Sequence, residues 1–170
     1  MEINNLDKLA KSVASNILSK LDYNPKFTLH DKTCLIIIPN IVLGFNEYYE
    51  YIIKKYPDYE MYVASNERLS ETQYIQNNSI KYLNLDVQNS EFVKTLDAVD
   101  TIFILGLKIS QMKALSIADD LENVNHIILG STMVNKSVNI MLNTNGLIFN
   151  KIVQTVKEIR SLGINVINIQ

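Results

Sequence analysis

The 170-residue chain has one cysteine, three prolines and five glycines, and each scarcity closes off a class of protein. A single thiol, Cys34, forms no internal disulfide, and with only His30 and His126 beside it the spacing fits no metal-ligand motif, so no metal site is expected. Cys34 lies inside a strand-like run, which predicts a buried, inert thiol. None of the glycines falls into G-x-G-x-x-G or G-x-x-x-x-G-K-[ST], so the dinucleotide fingerprint and the P-loop are both missing. Basic excess is missing too: 16 Lys and Arg against 18 Asp and Glu leave a formal net charge of -2 with no Lys/Arg block. That argues against an electrostatic grip on nucleic acid or an anionic membrane surface. The longest apolar run, Cys34 to Pro39, is far shorter than the roughly 20 residues that cross a bilayer. Lys8, Lys11 and Lys20 break up the first helical segment, which therefore does not read as a signal peptide, and a cytoplasmic protein is expected.

What is present is a core. At 47% hydrophobic residues the chain can bury enough apolar surface for one ordinary domain and is too short to divide comfortably into two. "TCLIIIPN" (Thr33 to Asn40) is a β-branched run ended by Pro39 and reads as a central strand buried on both faces. "FNEYYEYIIKKYP" places Phe45, Tyr48, Tyr49, Ile52, Ile53 and Tyr56 at helical spacing and stops before Pro57. Further strands are predicted at "EMYVAS" (Glu60 to Ser65), "SIKYLNL" (Ser79 to Leu85), "VDTIFILGL" (Val99 to Leu107), "NHIILGS" (Asn125 to Ser131), "SVNIML" (Ser137 to Leu142) and the closing "INVINI". Helices are predicted at Ser110 to Leu121 and at Leu147 to Gly163, the latter with Ile152, Val153, Val156, Ile159 and Leu162 on one face and Gly163 as its stop. Strands separated by such segments imply parallel pairing and a three-layer Rossmann-like or flavodoxin-like α/β sheet over residues 33–170.

Sheets of this kind bind ligands beyond the carboxyl ends of their strands. The loops there are Pro39 to Gly44, Ser65 to Ser70, Gly106 to Ser110 and Gly130 to Ser137, small-residue loops that feed helices whose N-terminal N–H groups can receive a phosphate. The alternative is that Gly44, Gly106 and Gly130 only make turns. No catalytic set is legible. Asp119 and Asp120 are adjacent, and on a helix adjacent residues point apart. His126 is a candidate general base without a visible partner, and Ser131 and Ser137 lack the context of an activated nucleophile.

The stretch "LKISQMKALSIADDLENVNHIILGSTMVNKSVNIMLN" resembles the C-terminal half of the flavoprotein family that includes FMN-dependent cysteine decarboxylases, through Ala114 to Leu121 and through Asn135-Lys136-Ser137-Val138. "CLIIIPNIVLGFNEYYEYI" and "YVASNERLS" stand where that family has its first strand, phosphate loop, first helix and second strand, so the resemblance covers about Thr33 to Gln170. It implies FMN at the strand ends among Asn40, Ser65, Gly106, Lys108 and Ser110, with Lys108 supplying a cation and Ser110 a hydroxyl for the phosphate. Two positions depart from the pattern. Pro39-Asn40, followed by Ile41, Val42 and Leu43, replaces the Gly-Ser pair that wraps the phosphate. Tyr48, Tyr49 and Tyr51 stand in the first helix, which has no histidine, so no catalytic residue is assigned.

Residues 1–21 form an amphipathic pattern, with Ile3, Leu6, Leu9, Ala10, Val13, Ala14, Ile17, Leu18 and Leu21 on one stripe, Lys8, Ser12, Ser15 and Ser19 opposite, and Asn5 as N-cap; residues 22–32 read as a polar linker. The stripe either covers the chain's own sheet or docks elsewhere. It resembles the targeting helices of bacterial microcompartment enzymes, which implies shell or core proteins as partners and an ethanolamine- or propanediol-utilisation setting. A flavin site without its own water-excluding lid further implies a homo-oligomer. The rival expectation is a non-catalytic assembly protein of a microcompartment that kept the fold and lost the cofactor.

Overall fold

The computed structural model describes residues 32–66 and 80–170. The expected docking helix, nearly all of the linker and part of the Ser65 to Ser70 loop lie outside the described residues. Within them the chain runs β1 (Thr33–Ile38), α1 (Phe45–Lys55), β2 (Glu60–Ser65), β3 (Lys81–Asn84), α2 (Ser90–Ala98), β4 (Thr101–Leu105), α3 (Ile109–Ser116), α4 (Asn123–Met133), β5 (Ser137–Leu142), α5 (Gly146–Ser161) and β6 (Asn165–Asn168). The strands form one six-stranded sheet in the order β3-β2-β1-β4-β5-β6. Every pairing is parallel, with Cys34 beside Met61 on one side and Thr101 on the other.

The β1 run is buried along its whole length because alternate residues feed two cores. Leu35 and Ile37 join Ile102, Ile104, Val138 and Ile140 under α2, α3, α4 and α5, with Phe92, Met112, Leu115, Ile128, Ile152 and Val156 as the helices' contribution. Cys34, Ile36 and Ile38 face the other way, against Tyr48, Tyr49 and Ile52 of α1. The three-layer α/β arrangement expected from the alternating segments is therefore present. The chain leaves β1 toward β2 on one side and leaves β4 toward β5 on the other. The switch point, where a doubly wound sheet opens a crevice, thus falls between the carboxyl ends of β1 and β4.

Three sequence expectations are corrected. Asn125 to Ser131 is not a strand: it belongs to α4, whose buried side carries Val124, Ile127, Ile128 and Ser131 at helical spacing while His126 and Gly130 face out. A short apolar run has no decisive period, and here the place beside β4 is taken by Ser137–Leu142. The helix expected to reach Leu121 stops at Ser116, because Ala118 turns left-handed (φ 57°) and the N–H groups of Ala118 and Asp119 close on the carbonyls of Leu115 and Ala114. Asn135 (φ 62°) ends α4 in the same way. Finally, α2 had no counterpart in the sequence reading. Asn89 caps it by accepting hydrogen bonds from the N–H groups of Glu91 and Phe92. At its far end Lys136 donates to the carbonyls of Asp97 and Val99.

Candidate functional site at the strand ends

The loops after β1, β4 and β5 meet at the switch point. Asn40, just past Pro39, donates one amide hydrogen to the Gly106 carbonyl at 2.8 Å and the other to Gln111 Oε1, also at 2.8 Å. Gln111 stands in the first turn of α3 and is buried. Its Oε1 also accepts from the Lys108 N–H (2.9 Å), its Nε2 donates to Glu122 Oε2 (2.6 Å), and its carbonyl accepts from Asn125 Nδ2 (3.2 Å). One glutamine thereby ties together the β1 loop, the start of α3 and the loop before α4. Asn125 Oδ1, at the buried end of this network, has no hydrogen-bond partner among the described residues.

On the other side of the loop, α1 begins at Gly44, whose left-handed backbone (φ 73°, ψ 38°) lets the chain turn directly into the helix without a side-chain cap. Glu47 folds back over this terminus: a methyl group placed on Gly44 would stand 2.8 Å from Glu47 Oε2 and 3.6 Å from Asn143 Nδ2. Burial pushes the Tyr48 phenol above its ordinary value, a hydrogen bond from the Asn143 backbone opposes this, and the Glu47 carboxylate adds to the rise. Gly106 is also left-handed (φ 73°), and a methyl group there would meet Val42 Cγ2 at 2.5 Å and the Asn40 carbonyl at 3.1 Å.

Of the five residues the sequence nominated, Asn40 and Lys108 are brought together through Gln111, Gly106 accepts directly from Asn40, and Ser110 lies exposed in the first turn of α3. Ser65 sits at the end of β2, buried, its carbonyl accepting from the Leu85 N–H and the Tyr82 hydroxyl. Val42 is legible in the sequence as a bulky residue of the β1 loop, whereas Gln111, Glu47 and Asn143 are not. A glutamine three residues after a strand-end lysine is the one local signal among them, since that position reaches back to the N-terminus of its own helix. His126 is on the exposed side of α4, with Nδ1 3.3 Å from Asp120 Oδ2 and both side chains mostly in solvent. Asp119 spends its carboxylate on the Leu121 N–H. Among the described residues no group of His, Cys, Asp and Glu could hold a metal ion, and no helix is long and apolar enough to cross a membrane.

A flavin phosphate needs donors and positive potential at this point, and the residues present do not fit it. Both amide hydrogens of Asn40 and the backbone N–H of Lys108 are committed within the protein. Val42 packs against the Cα of Gly106, and a carboxylate stands at the N-terminus of α1. Only Lys108 among the five nominated residues carries positive charge, and it is exposed.

No family model matches the sequence, and neither does any curated protein. Solved structures do match. The FMN-dependent cysteine decarboxylase TvaF of thioviridamide biosynthesis aligns with a TM-score of 0.54 at 11% identity, over 81% of this chain and 90% of that one. A mutant of PPC decarboxylase complexed with pantothenoylaminoethenethiol aligns with a TM-score of 0.52 at 12% identity, over 81% and 82%. The same mutant described without that compound gives 0.50 at 11%, over 81% and 86%. At such identities the likeness is one of fold: this chain is built like the FMN-dependent decarboxylases, with an all-parallel six-stranded sheet.

Proposed function

We propose that the chain is a non-catalytic assembly protein on the flavin-decarboxylase fold, which associates with further copies of itself through the carboxyl-end face of its sheet. The observation that carries this reading is an apolar rim around the switch point. Ile41 and Leu43 on the β1 loop, Ile109 at the start of α3, and Leu147 and Ile148 at the start of α5 are all exposed, Leu43 at 87%, Leu147 at 78% and Ile41 at 73%. They flank three strand-end connections that approach one another at Val42 and Gly106 and at Gly44 and Asn143. Clustered exposed aliphatics of this kind mark interaction surfaces, whereas single ones need no explanation. The polar groups at Asn40 and Gln111 inside the rim are bonded to each other, and neither the exposed His126–Asp120 pair nor the buried Cys34 thiol on β1 supplies acid–base or nucleophilic chemistry there.

The setting that goes with this reading is a bacterial microcompartment, with residues 1–21 as the segment that engages shell or core proteins. Sedimentation of the full chain across micromolar concentrations tests the self-association. A closed oligomer that Leu43→Glu/Leu147→Glu converts to a monomer of unchanged melting temperature is the expected result. A wild-type monomer at all concentrations refutes it. Co-purification of shell proteins with the full chain but not with a chain lacking residues 1–21 tests the setting.

A further inference from the structure

We infer that the phosphate position of the fold is filled in this protein by its own side chains, Glu47 and Val42, so that the crevice discriminates against phosphate-bearing flavins instead of selecting them. In a doubly wound sheet an anionic ligand group lies at the N-terminus of the helix after the first strand, where N–H groups without intrahelical partners and the helix dipole favour negative charge. Here that helix is α1, eleven residues long, and its N-cap Gly44 offers no side chain to those N–H groups. The negative charge at this end is internal. Glu47, in the first turn, lies with Oε2 2.8 Å from where a Gly44 methyl would be. An incoming phosphate would meet a like charge there. From the β4 side the approach is blocked by volume: Val42 Cγ2 occupies the space a methyl group on Gly106 would need. Asn40, the polar residue of the β1 loop, has turned its amide inward to Gly106 and Gln111. Three features, two on the β1 loop and one in the first turn of α1, thus act in the same direction, by charge, by volume and by consumption of donors.

This goes beyond the assembly reading and can fail while that reading stands, since association is read by sedimentation and phosphate exclusion by binding. Equilibrium dialysis of the full chain with FMN and, separately, with riboflavin isolates the phosphate, the only difference between the two probes. The wild-type chain is expected to hold FMN no more tightly than riboflavin. Glu47→Gln alone, a surface change that leaves the fold intact, is expected to raise FMN affinity on the order of tenfold. That lies between the high- and intermediate-dielectric limits for removing one like charge at about 4 Å. Val42→Ala added to it is expected to raise FMN affinity further, with riboflavin unchanged in both variants. A wild-type chain that prefers FMN over riboflavin tenfold, or a folded Glu47→Gln chain whose FMN affinity stays at the wild-type value, overturns the inference.

Discussion

Replacing Gln111 by leucine tests whether the switch-point network holds the loops together. The side chain is buried and makes three hydrogen bonds, from Asn40 Nδ2, from the Lys108 N–H and to Glu122 Oε2. A neutral hydrogen bond contributes about 0.5–1.5 kcal/mol net, and one to a charged group about 1.5–3. Taken at face value the three total about 2.5–6 kcal/mol. Asn40 is half-buried and Glu122 exposed, and both recover some of their bonding from water, and leucine restores apolar contact, so the lower part of this range applies, about 2.5–4 kcal/mol. For a domain of this size each kcal/mol moves the melting temperature by about 2–4 °C, which predicts a fall on the order of 5–16 °C. Urea unfolding followed by circular dichroism gives the free energy directly, provided the slope with denaturant is unchanged. The Asn40→Ala/Gln111→Leu double variant should lose clearly less than the sum of the single losses, because both remove the same bond. A Gln111→Leu protein within about 0.5 kcal/mol of wild type, the range of an ordinary surface substitution, would refute the reasoning.

Cys34 is buried beside Met61, and burial pushes its thiol up to about 12; a thiol reagent at pH 8 should therefore label the protein only in denaturant, and labelling at the rate of a free thiol contradicts the fold. Because the folded pKa is raised, the unfolded chain releases this proton first, so its contribution to stability is complete below about pH 9 and is lost as pH rises toward 12, as alkaline unfolding would record. Ala118→Gly should raise stability by about 1 kcal/mol, because a left-handed residue with a Cβ costs about 1–2 kcal/mol. The same change at Asn135 should gain less, since asparagine tolerates that conformation; equal gains would show that the two helix ends are not strained as described. Lys136→Met should cost about 1 kcal/mol in urea unfolding by removing the cation from the carbonyls at the end of α2, and no loss would show those bonds to be incidental.

Much of the scaffold was written locally. Continuous β-branched runs at Thr33–Ile38 and Thr101–Leu105 can only be strands covered on both faces, and the apolar stripes of α1 and α5, with Gly163 as a stop, can only be helices against that sheet. Parallel pairing follows from their alternation. Tertiary structure decided what local period leaves degenerate. Asn125–Ser131 is apolar enough for either state and became part of α4 because β5 completes the sheet beside β4 and Asn135 provides the left-handed stop that turns α4 into it. The site was decided the same way. Asn40, Gly106 and Lys108 were legible as strand-end residues, but what they do depends on Gln111, which lies 71 residues from Asn40 and is brought to it by the packing of α3 across the strand ends. Glu47 reads in the sequence as one exposed acid on a helix. Only the left-handed turn at Gly44, set against the loops of neighbouring strands, makes it the charge that guards the switch point, because electrostatic potential at a site sums over groups that the chain brings together in space and not in order.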